Sequence, residues 1–233
     1  MDFRYRMVLG GGVVLMLGVL GISAYIKFQD KHKNLYEGFI TTLEVQTDES
    51  TRTLARQRIA TAQAAIAASE AAGEDILPDL YNAISGDALI LGDLILARES
   101  LEESLTLNSL NSATWSSYGY VLVSMHDYAL AKTAYLRAVE LSPREETYRD
   151  AIRLLEQQFP EDKAIIKALY DDSVTTLGQK MFNMLGLANW YAEAGECDNA
   201  KAHFSVAEDL ATTDTIKDQV VSERKEVLSE CKE

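Results

Sequence analysis

A helical pattern that returns after 34 positions constrains this chain more than any other feature. Tyr81 and Trp115 stand 34 apart, as do Ile84 and Tyr118, and Ala97 and Ala131. A period of that length accommodates one helix pair per unit, and one pair alone cannot hide its apolar face. Neighbouring pairs must stack, so the spacing predicts a solenoid in which each unit touches only the next. Alternating strand-type patterns are nearly absent, and Pro78, Pro143 and Pro160 all fall between expected helices. The fold class is therefore all-α.

Four units follow from the spacing: residues 78–111, 112–145, 146–180 and 181–214. The second keeps Trp115, Gly119, Ala131, Tyr135 and Pro143. It resembles the tetratricopeptide repeat, whose pattern is W-x2-L-G-x2-Y, then A-x3-F, then P. It departs from that pattern at Tyr118 and at Leu122. The fourth unit keeps Leu187-Ala188, Tyr191, Ala200, Phe204 and Ala207, whereas 146–180 has the length but few of the residues. Small residues such as Gly119, Ala131 and Ala200 let helices approach. Trp115, Tyr135, Tyr191 and Phe204 are expected to fill the space between units. A charged helix over 215–233 suits a terminal cap, whose outer face must meet water.

Ahead of the repeats, Met7 to Ile26 carries no charge. At about 1.5 Å per residue such a stretch spans roughly 30 Å, one bilayer core. Residues 7–27 are expected to form a single transmembrane helix after a short tail, 1–6, with a cleaved signal peptide as the competing reading. Residues 28–77 form either a helical stalk or a degenerate leading repeat. Leu35, Phe39 and Leu43 suggest a helix over 28–47, and an alanine-rich helix follows from about Thr51 to Ala72 with Gly73 as its stop.

Little in the sequence points to catalysis. The net charge of −14 repels phosphate, which argues against nucleic acid as a partner. No phosphate loop or nucleophile elbow is present. His32, His126 and His203 lack the spacing of a zinc site. The chain is expected to be no enzyme, with no metal, no cofactor and no small-molecule substrate.

The two cysteines invite a specific reading. If the fourth unit's second helix and the cap helix run antiparallel, Cys197 comes opposite the end of the cap, near Cys231. A disulfide there would staple the C-terminus and imply an oxidising compartment; the alternative is two free thiols. The disulfide reading places the N-terminus in the cytoplasm and the repeats on the periplasmic side of a bacterial inner membrane.

The family resemblance implies a groove lined by the first helix of each unit. It assigns Asn82 and Leu89, then Ser116, Tyr120 and Val123, then Phe182, Leu185 and Asn189. No cation stands at the matching positions of the first two units, so a peptide or helix is a better occupant than a C-terminal carboxylate. The implied function is a membrane-anchored scaffold for assembly of a membrane-associated complex. A chaperone-like accessory factor and a structural subunit of a large membrane complex are the alternatives.

Overall fold

The computed structural model describes residues 40–229. The expected membrane helix, Cys231 and His32 lie outside them. Among the described residues there are ten helices: α1 Glu49–Ala72, α2 Pro78–Leu91, α3 Leu94–Leu107, α4 Ser112–Ser124, α5 Tyr128–Leu141, α6 Glu145–Gln158, α7 Lys163–Leu177, α8 Met181–Glu193, α9 Cys197–Asp209 and α10 Asp214–Ser229. None of them is long and apolar enough to cross a membrane. Consecutive helices pack on one another along the whole series from α1 to α10.

Polar residues at the turns set the helix bounds. Asp48 caps α1 by accepting from the Thr51 amide at 2.9 Å, and Gly73 ends it at φ 69°. Asp93 accepts from the Leu96 amide at 2.9 Å, Asn111 from Ala113 at 3.0 Å and Asp127 from Leu130 at 3.3 Å. Each satisfies an amide that the first helical turn leaves without a partner.

α1 joins the stack through Ala55, Ile59, Ala62 and Ile66, which form one buried stripe. Ile59, Ala62 and Ile66 pack with Ile84 of α2, and Arg58 forks onto the buried carboxylate of Asp87. Just before α1, residues 43–47 are not helical, contrary to the helix expected over 28–47. The Leu43 amide donates to the Gly92 carbonyl at 2.8 Å, and the Thr47 hydroxyl to the Ile90 carbonyl at 3.3 Å. Two causes converge. Thr42, Val45 and Thr47 are β-branched and favour extended backbone, and the end of α2 offers carbonyls that helix geometry leaves open.

In the repeats, Tyr135, Phe204, Ala131, Ala138, Ala188, Ala200 and Ala207 are buried. Tyr135 lies on Gly119 so closely that a Cβ at Gly119 would stand 2.7 Å from its ring. Two of the aromatics expected as fillers are only partly enclosed, though each touches the preceding unit. Trp115 and Tyr191 are half-buried, and the Trp115 indole donates to the Ser109 carbonyl at 2.9 Å. Every seam between units carries its own polar tie. The Tyr118 hydroxyl donates to Glu102 at 2.7 Å, Lys132 pairs with Asp162, Lys163 with Glu193 at 3.2 Å, and Asn189 donates to Glu223 at 2.9 Å.

The third unit has a register of its own. α6 starts at Glu145, one residue before the expected boundary at 146, and ends at Gln158. Its buried residues Tyr148, Ala151, Ile152 and Leu155 match Trp115, Tyr118, Gly119 and Leu122 of α4 at a spacing of 33. Tyr148, fully buried, thus takes the place expected for Arg149. In α8, Met184, Leu187 and Ala188 recover the same pattern after 36.

Candidate protein-binding groove

The first helices α2, α4, α6 and α8 turn their buried faces toward the second helices. A second stripe on each, offset from the buried one, stays open. The structure places Asn82 and Leu89 on α2, Ser116, Tyr120 and Val123 on α4, and Phe182, Leu185 and Asn189 on α8. None of these is buried; Tyr120 is 51% exposed and the other seven are half-buried.

Two members of the set are partly committed within the fold. Asn82 accepts from the Thr114 hydroxyl at 3.2 Å, which ties α2 to α4. Asn189 donates to Glu223, so α10 continues the row beyond α8. The remaining surface is mixed: an exposed phenol from Tyr120 and the half-buried Val123 on α4, Leu89 on α2, and Phe182 and Leu185 on α8. Such a strip suits contact with a protein segment, which needs apolar anchors and a polar rim.

The register of α6 adds two residues that the sequence reading left out. At a spacing of 33, Arg149 matches Ser116 and Arg153 matches Tyr120. Arg149 lies over the Phe182 ring, 5.8 Å from its centroid. Arg153, Asp150 and Tyr120 all act electrostatically on the Tyr135 hydroxyl of α5, which burial chiefly raises. The carboxyl of Asp150 is raised above the usual carboxylate range, chiefly by burial in this wall, and Arg153 opposes the rise. What finds these arginines is the burial of Tyr148, Ala151, Ile152 and Leu155, which selects the spacing of 33.

On the side of the second helices, a cleft of about 450 Å³ is floored by Met184 and Leu187 and rimmed by Asp171 and His203. Its polar groups are spent locally: Asp171 pairs with Lys167 at 2.7 Å, and the His203 Nδ1 is 2.8 Å from the Asn199 carbonyl. Asp172, beside it in sequence, accepts from the Tyr148 hydroxyl. Among the described residues no group of three His, Cys, Asp or Glu side chains is placed to hold a metal ion. No cysteine among them is free.

Neither a protein-family model nor a curated protein sequence matches the chain. Solved structures resemble it in fold. The crystal structure of MamA is 15% identical, with 78% of this chain and 99% of that one covered at a TM-score of 0.53. YrrB, described as a TPR protein with an unusual peptide-binding site, is 15% identical over 70% of this chain and 88% of its own, at 0.51. PilF of Pseudomonas aeruginosa is 16% identical over 77% and 90%, at 0.50. At these identities the likeness is one of fold: an all-α solenoid of the tetratricopeptide type.

Proposed function

We propose that this chain is a membrane-anchored tetratricopeptide scaffold that mediates protein–protein contacts in the assembly of a membrane-associated complex. One observation carries the reading. Along the first helices of successive units, Asn82, Leu89, Ser116, Val123, Phe182, Leu185 and Asn189 stay half-buried and Tyr120 is 51% exposed among the described residues, which supports a surface left open for a partner. A stacked array exposes such a surface as a by-product of its geometry, and extended segments of other proteins fit it. The likeness in fold to a protein with a peptide-binding site is consistent with that use. The uncharged run 7–26 supplies the tether, and the repeats act on the periplasmic side of a bacterial inner membrane.

The test is purification of the full chain from its native membrane in mild detergent, with and without Tyr120→Ala and Val123→Ser. The wild type should bring down a stoichiometric partner, and the double variant should recover about a tenth as much, as expected for loss of an aromatic anchor worth roughly 1.4 kcal/mol. Equal recovery from the two would remove the groove from the account.

A further inference from the structure

We infer that the middle of the groove reads an acidic side chain on the bound segment, through Arg149 and Arg153 of α6. This rests on the groove reading above and names the chemistry of its partner. The two guanidinium groups project from successive turns of one helix, in the rows of Ser116 and Tyr120. Both side chains are largely open, at 51% and 60%. Their ionic neighbours are on their own helix: Glu145 is 3.2 Å from Arg149, and Asp150 is 3.7 Å from Arg153. Exposed intrahelical pairs of that kind hold a side chain weakly, so an incoming carboxylate competes with them on even terms.

What surrounds the pair makes the arrangement selective. Arg149 lies over the Phe182 ring, 5.8 Å from its centroid, so an aromatic face flanks its guanidinium. Tyr120 offers an exposed phenol in the row of Arg153. Planar guanidinium groups accept a carboxylate through paired hydrogen bonds, and a flanking aromatic face holds the geometry. Toward the C-terminal end the same rows continue into Glu223 of α10, and the chain as a whole carries a charge of −14. Two guanidinium groups in an acidic frame attract one negative side chain and leave a uniformly acidic ligand repelled. The fitting partner is therefore an apolar segment with a single Asp or Glu at its middle.

A random dodecapeptide display library selected on the detergent-solubilised full chain tests this. The variants are Arg149→Met/Arg153→Met and, as a control with the same change in charge, Arg137→Met/Lys201→Met on the second helices. Circular dichroism verifies that each is folded, and the single variant Arg153→Gln stands in if the first pair is not. On the wild type, enriched peptides should carry one Asp or Glu at a fixed distance from an apolar anchor, about tenfold above its frequency in the library. The control should keep that acid, and the groove variant should keep the anchor and lose the acid. Apolar peptides without the acid on the wild type would overturn the subsite and leave the groove intact, as would an acid retained by the groove variant. No enrichment at all would overturn both.

Discussion

Tyr118 shows how much of the repeat's stability is polar as well as apolar. Burial first, and then its hydrogen bond to Glu102, raise its hydroxyl well above the ordinary 10.0. Burial does the same for Tyr135 and Tyr170. A folded-state value above the unfolded one means that folding favours the protonated phenol. That stability is fully present below the unfolded value and is lost as pH rises through the folded one. Urea midpoints should therefore fall from pH about 10 upward, well clear of the carboxylate range. Tyr118→Phe should flatten the alkaline fall and cost about 1 kcal/mol at neutral pH, because Glu102 loses a donor. An equally steep alkaline fall in the variant would exclude Tyr118 as its source. Single residues were legible in the sequence where chemistry leaves one option. Gly119 had to be small, and Phe204 had to be inside. Arg149 and Arg153 were not legible, because Ile152, Leu154 and Leu155 give α6 enough apolar residues to satisfy either of two registers, and only the burial of Tyr148 decides between them.

Helices were more readable than the segment that leads into them. Asp93, Asn111 and Asp127 announce starts, and Gly73 and Gly92 announce stops, through local hydrogen bonds that sequence encodes directly. Residues 43–47 misled for the opposite reason. Leu35, Phe39 and Leu43 recur at a helical interval, but the partners that settle the backbone are the carbonyls of Ile90 and Gly92, far along the chain. Gly92 is the hinge of that contact. Its φ is 78°, and the Leu43 carbonyl occupies the place of its missing side chain. Gly92→Ala should therefore destabilise the domain by about 1–2 kcal/mol for the left-handed backbone alone, and it should push Leu43 away. Hydrogen exchange reads the second effect: the Leu43 amide should lose its protection while amides inside α5 keep theirs. Unchanged protection at Leu43 would show that the extended segment is held by something else.

At the scale of the whole chain, α10 is the element held most lightly. Val220 is its one buried residue among those described, and Glu223 and Arg224 supply its polar ties to Asn189 and Glu208. A Cys197–Cys231 bond would compensate, worth about 2–4 kcal/mol by closing a loop in the unfolded chain. Alkylation of the denatured full-length protein without reductant should leave both thiols unmodified, and reductant should lower its melting temperature. Two alkylated thiols would withdraw the staple and, with it, the argument for a periplasmic repeat domain. The seams between units point to a different kind of constraint. Glu102 takes Tyr118 through a phenol, and the ion pairs Lys132–Asp162 and Lys163–Glu193 sit at different positions along their helices. The modules are keyed to their neighbours and are not interchangeable. Excising or duplicating one would bring unmatched ends together and strand a charge at the new joint, so this array is built to change by substitution and to resist being shuffled.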